Sequence, residues 1–371
     1  MKKLLLVLAL SGCIAAGHAQ EILLGTDFKM YFDNKEFGSN EFAVPGLDIE
    51  SGTDFAARLT PRIGIRWDEK NTLVIAADMI KNFGSAESAY LSEIKPVFYY
   101  QFRTPKVTAA AGIFTRDMMH DDDYSTAFFS ESERFFHNRM NGVLAQYNGK
   151  RNSYVEFVCD WEGMYSTLSR EKFRILLAGR HYLDTFYYGF NYSMFHYAGQ
   201  QGAPIENVVD LQLLNPCVGV KFNAFFDFDI KLGALLTAQR DRSFGHSWEK
   251  PCMGEFAFRI SRWGLSLDER LYVGDNIHPF FYGHDLENTD DTTTHIPYGR
   301  ELYPGESFFR TDQKVYSRTA LSYRRSFFND TVSVRAEFAA HHDGTALGTQ
   351  QMLVVGVKLL KTVYNSKNHK K

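Results

Sequence analysis

The sequence predicts an all-β chain whose strands close into one transmembrane antiparallel β-barrel of about sixteen strands. Three observations predict this fold. Strand-like segments with a period-two alternation of apolar and polar residues follow one another from Ile22 to Leu360, without a convincing 3.6-residue period. After the first twenty residues, no apolar run reaches the ~18 residues that a membrane helix needs. Short polar turns alternate with long loops along the chain.

The predicted strand segments are 25–33, 55–67, 72–83, 90–102, 107–116, 142–147, 154–165, 172–179, 185–196, 217–225, 229–240, 254–260, 263–273, 309–326, 332–341 and 350–360. Short turns lie at 68–71, 104–106, 148–152, 226–228, 261–262 and 328–330, and longer loops at 34–54, 117–140, 241–251 and 274–305. With the N-terminus in the periplasm, every short turn falls on the periplasmic side and every long loop on the extracellular side. This asymmetry is typical of bacterial outer-membrane barrels.

The polarity of the alternation distinguishes a membrane barrel from a soluble sandwich. The last segment places Leu353, Val355 and Val357 on one face, and Gln350 and Lys358 on the other. A soluble sandwich turns its apolar face inward and rarely needs strands this long. A barrel in lipid does the reverse, so we expect an apolar exterior and a polar lumen.

The N-terminus predicts export. Two lysines precede an apolar run, and an Ala-x-Ala-like cleavage site ends at Ala19. We therefore divide the chain into a signal peptide, 1–19, and an outer-membrane β-barrel, 20–371. A competing lipoprotein-type site would lipidate Cys13. The predicted location is the cell outer membrane of a Gram-negative-type bacterium, with outer-membrane lipid and lipopolysaccharide as partners.

Composition excludes several classes of function. The formal net charge is only −3, from 41 basic and 44 acidic residues, so no global field recruits nucleic acid. With 44% apolar and 15% aromatic residues the chain is not disordered. Cys159, Cys217 and Cys252 are widely spaced and odd in number, which is neither a disulfide framework nor a zinc pattern. We predict no metal and no other cofactor.

Charged residues at lumen-facing positions form two predicted walls. The basic wall comprises Arg58, Arg62, Arg66, Arg310, Lys314 and Arg318. The acidic wall, roughly opposite, comprises Glu156, Asp160 and Glu162. Opposed charges across a water-filled pore sort solutes by charge and dipole. The alternative is that these groups pair with one another and simply fill a polar lumen.

The loop 117–140 follows the fifth predicted strand. Its charged residues are Asp117, Asp121, Asp122, Asp123, Glu131, Glu133, Arg134 and Arg139. Strand count, loop order and charge type here resemble bacterial general porins, in which the third long loop folds inward and narrows the channel with acidic residues facing arginines. The resemblance implies that Asp121, Asp122 and Asp123 face Arg58, Arg62 and Arg66 across a constriction, and that a homotrimer forms. Alternatively, the loop lies outside as a solvated acidic surface that bridges lipopolysaccharide through divalent ions.

A second resemblance concerns the group of bacteria from which the sequence comes. The many Phe and Tyr residues, the signal peptide ending at Ala19, and the blocks Gly-Ile-Phe at 112–114 and Cys-Asp-Trp at 159–161 look like barrels from the Bacteroidota. This resemblance implies the same barrel fold and names no activity.

Enzymatic motifs are not found in the sequence, so we predict that the chain is not an enzyme. It has no Gly-x-Ser-x-Gly elbow, HExxH, P-loop or Rossmann fingerprint. His120 beside Asp121–Asp123 is similar to the Asp and His groups of surface barrel proteases, where carboxylates activate water. Those enzymes are smaller and bring separated pairs together across a cleft. The histidine-containing pairs at 284–285 and 341–342 have no further ligand at metal-binding spacing.

The predicted function is an outer-membrane porin that gives passive diffusion to small polar or charged solutes through a charged lumen. The alternative is a plugged, surface-exposed barrel that acts as a binding or adhesion protein. In that case aromatic residues of the loop 274–305 would contact a glycan or a partner protein, namely Phe280, Phe281, Tyr282, Tyr298 and Tyr303.

Overall fold

The barrel closes as predicted. The computed structural model describes residues 21–37, 51–84, 90–202, 208–242, 247–277, 304–310 and 313–365. Its strands are β1 Glu21–Glu36, β2 Gly52–Trp67, β3 Asn71–Asn82, β4 Glu93–Arg103, β5 Val107–Thr115, β6 Arg139–Asn148, β7 Tyr154–Gly163, β8 Lys172–Leu183, β9 Phe186–Tyr197, β10 Val209–Asn223, β11 Asp227–Asp241, β12 Cys252–Arg262, β13 Leu265–Gly274, β14 Val315–Phe327, β15 Val332–His342 and β16 Leu347–Asn365. Each strand pairs antiparallel with the next, and β1 pairs with β16. The predicted count of sixteen strands is confirmed.

Closure satisfies the backbone hydrogen bonds of both edge strands. At the seam, Lys29 lies opposite Gly356 and Phe32 opposite Leu353. On the other side of β1, Lys29 lies opposite Arg58. A barrel without free edges is one of the few structures that can cross a bilayer, because lipid offers no partner for an open strand.

The exterior is apolar, as the alternation predicted. Exposed side chains on the outward positions include Leu59, Ile63, Leu73 and Ile75. Alternate residues of the same strands point into the lumen, since successive side chains of a strand lie on opposite faces. Among the described residues, no helix is long and apolar enough to cross a membrane. Cys159, Cys217 and Cys252 are free thiols.

The two ends of the barrel differ as expected. Short turns join the strands at the periplasmic end, and several of them need residues with positive φ. Asp68 and Glu69 have φ of 50° and 59°, and Asn329 and Asp330 have φ of 53° and 62°. Turns of this handedness match the twist of the flanking strands, and Asn and Asp tolerate them well. The longer connections gather at the extracellular end.

The connection between β5 and β6 folds into the lumen. This inserted segment, residues 116–138, contains the 3-10 turns Arg116–Met118 and Asp121–Asp123 and the helix α1, Glu131–Phe136. Ser130 caps α1, because its hydroxyl accepts the backbone N–H of Glu133 at 3.1 Å. The alternative of an external acidic loop therefore does not describe this structure.

A second insertion, residues 304–310, lies against the first. The backbone N–H of Ser130 donates to the carbonyl of Pro304 at 2.7 Å, and that of Glu306 donates to Thr126 at 2.9 Å. The two insertions therefore form one body inside the barrel.

Contact with these insertions makes part of the lumen apolar. Buried residues of the wall and of the insertions form one cluster that includes Phe114, Tyr124, Phe129, Met140, Leu144, Val158, Leu176, Phe195, Leu211, Leu235, Tyr272, Phe309 and Tyr316. We expected a polar lumen, and the part of the wall that the insertions cover is apolar instead. Where an insertion excludes water, an inward apolar side chain is stabilised by burial.

Two strand boundaries differ from the prediction for related reasons. The fourteenth strand was expected to begin at Phe309, but β14 begins at Val315. Phe308 and Phe309 are 3% and 1% exposed within the second insertion, so their burial overrides the strand pattern. The strand β10 begins at Val209, eight residues before the predicted segment. Its first residues do alternate, but Val209, Leu211 and Leu213 belong to the apolar cluster inside the barrel and Asp210 faces outward, so the expected polarity is reversed.

The predicted signal peptide, the loop aromatics from Phe280 to Tyr303 and the pair at 284–285 lie outside the described residues.

Candidate functional site

Ion pairs to three parts of the wall hold the inserted segment in the lumen. On the side of β15, Glu131 accepts both terminal nitrogens of Arg335, at 2.9 and 3.3 Å. On the side of β1, the Lys29 ammonium lies 3.0 Å from Asp117. On the side of β8, Arg180 lies 2.8 Å from Asp123. Because these anchors diverge, the segment is tethered across the lumen rather than along one wall.

The anchoring carboxylates are strongly favoured in their charged form. Burial raises the pKa of Glu131, but Arg335 and Arg134 overcome it and hold this pKa well below its usual range. Burial also raises the pKa of Asp117, but the attraction of Lys29 and Lys358 outweighs burial, and the net effect is a lowered pKa. Both residues are therefore ionised at neutral pH, and their attraction to the wall is complete there.

Arg116, directly after β5, places a fixed positive charge in the lumen. Its guanidinium carbon lies 4.0 Å from the centroid of the Phe129 ring, and its Nε donates to the carbonyl of His137 at 2.9 Å. Burial lowers its pKa, while Asp121 and Glu133, each at 3.4 Å, raise it in part. An arginine keeps its charge under such conditions, since its ordinary pKa is above 12.

Glu156, predicted for the acidic wall, supports the inserted segment. It is fully buried on β7. It accepts the backbone N–H of His120 at 2.8 Å, the Gln146 amide at 2.7 Å and the Tyr124 hydroxyl at 3.3 Å. These three donors come from both the wall and the segment, so Glu156 positions the segment and has no open face toward the solute path.

The basic residues of β2 and β14 point into the lumen as predicted, and each has a carboxylate beside it. The pairs are Arg58 with Asp78 at 3.0 Å, Arg62 with Asp27, Arg66 with Glu21 at 3.0 Å, and Arg318 with Glu337. Neighbouring strands supply these carboxylates, so the basic wall is neutralised locally. The transverse field expected across the whole lumen is weakened accordingly.

The other acidic residues predicted for the site have different partners. Asp160 accepts the backbone N–H of Asn141 at 2.6 Å, and Glu162 lies 3.3 Å from Arg174 and 3.5 Å from Lys172. Asp121 pairs with Arg116 and Arg134 of its own segment. Asp122 is exposed. The ion pairs of Asp121 and Asp123 therefore lead to Arg116, Arg134 and Arg180, and not to Arg58, Arg62 and Arg66.

Arg310 and Lys314 do not belong to a wall strand. Arg310 ends the 3-10 turn Ser307–Arg310, and Lys314 precedes β14. The Lys314 ammonium lies 2.5 Å from Asp275, and both side chains are more than half exposed. Lys314 is therefore part of the extracellular rim.

A cavity of about 510 Å³ opens on the extracellular side of the inserted segment. Its basic residues are Lys95, Arg116, Arg139, Lys172 and Arg174, and its acidic residues are Glu133, Asp160 and Glu162. Arg139 lies 3.8 Å from Asp78, a carboxylate that Arg58 approaches more closely at 3.0 Å. Basic groups thus outnumber acidic groups, and this cavity has a positive character.

Two further cavities lie toward the periplasmic side. One, of about 510 Å³, is lined by Lys29, Lys358 and Arg335 together with Asp117 and Asp121. The other, of about 130 Å³, is lined by Arg180, Lys231, Asp229, Asp268 and Glu269 among others. These two share Asp122 and Asp123 as lining residues, and the first shares Arg116 with the extracellular cavity. Charged space therefore adjoins the inserted segment on both sides.

A separate charged cluster lies on the lipid-facing wall near the extracellular end. The Nδ1 of His196 is 3.3 Å from Asp210, which also accepts Arg240 at 2.9 Å and Arg242 at 2.6 and 2.8 Å. Arg240 lies 4.6 Å from the centroid of the Trp248 ring. His196, Asp210 and Arg240 lie at positions that alternate with the lumen-facing residues of β9, β10 and β11. This cluster therefore faces outward. In the described part of the chain, no group of three or more His, Cys, Asp or Glu residues could hold a metal ion.

Sequence reasoning missed Arg116, Arg180, Lys95 and the His196–Asp210 pair as site residues. Arg116 directly follows β5 and looked like the last residue of a strand. The other residues occupy alternating positions on strands of ordinary composition. Asp210 lies opposite His196 on the neighbouring strand, and Asp123 of the inserted segment reaches Arg180, so the strand register and the insertion bring these partners together.

A family model described as lipid A 3'-O-deacylase-type matches residues 14–249. The chain belongs to this family. Among curated proteins, none matches this sequence. The lipid A 3'-O-deacylase-type model thus covers the strands up to β11, together with the inserted segment and the His196–Asp210 pair.

Several solved structures are similar to this member of the family. OccAB3 of Acinetobacter baumannii is 10% identical, with 92% of this chain and 99% of that chain covered and a TM-score of 0.45. The outer-membrane protein OpdK of Pseudomonas aeruginosa is 10% identical, with 93% and 100% covered and a TM-score of 0.46. OprD of the same organism is 11% identical, with 92% and 96% covered and a TM-score of 0.47.

The closed barrel with its apolar exterior, in a family named for lipid A, is an outer-membrane protein. The predicted location in the outer membrane is confirmed.

Proposed function

We propose that the barrel is a passive channel for small charged solutes, narrowed by the inserted segment. The observation that carries the proposal is the presence of charged cavities on both sides of this segment. Arg116 lines one cavity on each side, and Asp122 and Asp123 line both periplasmic cavities. A barrel filled only for stability would be expected to pack such space with apolar side chains, as it does around Phe129.

The extracellular cavity favours small anions. Arg139 and Lys95 lie where β6 and β4 begin, near the extracellular opening, and Arg174 and Lys172 lie on the facing side. In a confined space with low-dielectric walls, an excess of one charge raises the local concentration of the opposite ion. The buried Arg116 continues this positive character to the inserted segment.

Single-channel recording in a planar bilayer tests the proposal. In a salt gradient, the refolded protein should give steps of stable size and a reversal potential that indicates preference for anions. Silence from folded, heat-modifiable protein would instead favour the plugged barrel that binds a glycan or a partner protein at its extracellular surface.

Deacylation of lipid A is a second candidate, favoured by the family and by the His196–Asp210 pair. A histidine that is hydrogen-bonded to a carboxylate can take a proton from a water molecule that attacks an ester. Arg240 and Arg242 beside it could bind a phosphate of the glycolipid. The pair faces lipid near the extracellular end, which is the leaflet that holds lipid A.

Mass spectrometry of lipid A after incubation with the protein tests this candidate. Deacylation predicts the loss of one acyl chain, and His196→Ala should abolish it. His342→Ala is a matched control, because His342 is an exposed residue near the same end whose ring accepts only the nearby N–H of Gly344 at 3.1 Å. Intact lipid A with the unmodified protein would leave the channel as the sole candidate.

A further inference from the structure

We propose that a groove on the outer wall, at the periplasmic end of β6 to β9, binds one phospholipid of the inner leaflet. Its acyl chain would lie along Val155 and Phe190, and its phosphate would bind Lys150 and Arg151. This site faces the bilayer and not the lumen, so it is independent of the channel and of lipid A chemistry.

One outward position beside the groove has no side chain. Gly179 lies opposite Phe190 on β9 and Val155 on β7. A Cβ built on Gly179 would lie 3.2 Å from a ring carbon of Phe190 and 3.6 Å from a methyl group of Val155. These two side chains therefore pack closely over Gly179, which is itself buried, and the recess of the groove lies beside the Phe190 ring.

The recess is apolar and large enough for a ligand. Its volume is about 570 Å³, within the range of about 300–1,000 Å³ typical of small-molecule sites. Outward residues that line it are Tyr147, Val155, Leu183, Tyr188 and Phe190. All of them are between 38% and 54% exposed, so the protein itself leaves them uncovered.

The position in the membrane determines the occupant. The groove begins at the periplasmic turn and runs along the wall toward the hydrocarbon core. At that depth the bilayer contains no water that could occupy an apolar recess. An acyl chain is the abundant apolar ligand at that depth. Aromatic rings such as Tyr147 and Tyr188 mark the interface at which a headgroup lies.

Charge at the mouth of the groove fits a phosphate. Lys150 and Arg151 occupy the turn between β7 and the preceding strand, and both line the groove together with His181. The acidic residue beside them is Asp184, 2.9 Å from Arg151, with the two side chains 80% and 59% exposed. An exposed pair of this kind is weak, so a phosphate can compete for the guanidinium.

Native mass spectrometry of the full, folded barrel in detergent, titrated with phosphatidylglycerol, tests the proposal. We expect one lipid to be retained by the wild type. Gly179→Leu should weaken this binding roughly tenfold, because its side chain would push the Phe190 ring into the groove. Gly254→Leu is the matched control. A Cβ at this second outward glycine meets only the carbonyl of Val273 at 3.7 Å, so the variant should fold and retain the lipid.

A second variant tests the phosphate contact without altering the wall. Lys150→Glu/Arg151→Glu should also weaken binding roughly tenfold, because two attractive charges become repulsive. Lys70→Glu/Lys361→Glu, a double reversal elsewhere at the periplasmic end, should leave it unchanged. Heat modifiability on gels confirms folding of each variant. Wild-type affinity in both the Gly179 and the Lys150/Arg151 variants would overturn the proposal.

Discussion

The carboxylate of Glu131 forms a two-point ion pair with the guanidinium of Arg335, at 2.9 and 3.3 Å. Glu131 belongs to α1 of the inserted segment, which leaves the wall at β5, whereas Arg335 belongs to β15 on the far side of the barrel. Such a bidentate pair fixes orientation as well as distance. It therefore sets how far the segment reaches across the lumen.

Breaking this pair should widen the channel. Glu131→Gln removes the charge that binds Arg335 but keeps the shape of the side chain. We expect a higher or less stable single-channel conductance than in the wild type, because the far end of the segment loses its main anchor. Asp68→Asn, which removes a carboxylate from an exposed periplasmic turn, is the control and should change nothing. Unaltered conductance in Glu131→Gln would show that the other anchors suffice.

Acidic pH should also weaken the anchoring of the inserted segment. The pKa values of Glu131 and Asp117 are lowered in the folded protein, so their anchoring is complete above the ordinary carboxyl pKa of about 4. It is lost as the pH falls from that value through the lowered one. Conductance should therefore stay constant from pH 7 to about pH 4 and change only as the pH falls further, toward the lowered pKa values. The change should be smaller in Glu131→Gln, whose anchor is already absent.

Ion selectivity should depend on the extracellular cavity. Arg139→Glu/Lys95→Glu reverses two charges at its opening, and the reversal potential in a salt gradient should shift toward cation preference. Arg62→Glu should shift it less, because Arg62 is paired with Asp27 on the adjacent strand. An equal shift in both variants would mean that the wall of β2 controls permeation instead.

Arg58 should matter for stability more than for selectivity. It is 2% exposed, lies 3.0 Å from Asp78 and donates to the carbonyl of Phe136 at 3.2 Å. Arg58→Met leaves the buried Asp78 carboxylate with the Thr60 hydroxyl as a hydrogen-bond donor and with the more distant Arg139 as its ion partner. We expect a loss of about 3–5 kcal/mol in the free energy of unfolding, measured by urea titration in detergent. Arg66→Met, whose pair with Glu21 is a third exposed, should lose far less.

The sequence by itself determined the barrel. Alternation with a period of two and short turns next to longer connections are local properties, and the sixteen described strands confirm the barrel that they predict. They sufficed because the bilayer imposes the same requirements on every strand. The outward side chains must be apolar, and the backbone must be hydrogen-bonded along both edges. The inward direction of Arg58, Arg62, Arg66 and Arg318 followed from the same alternation.

Only the tertiary structure decided which charges pair. Asp78 neutralises Arg58 and Glu131 binds Arg335 because the register and the inserted segment bring together residues far apart in the chain. Contacts with Tyr272 and Tyr316 bury Phe309 in the lumen, so the strand predicted to begin there begins at Val315 instead. Coulomb energy depends on a few ångströms of separation and on the exclusion of water, and a linear pattern of residue types specifies neither of them.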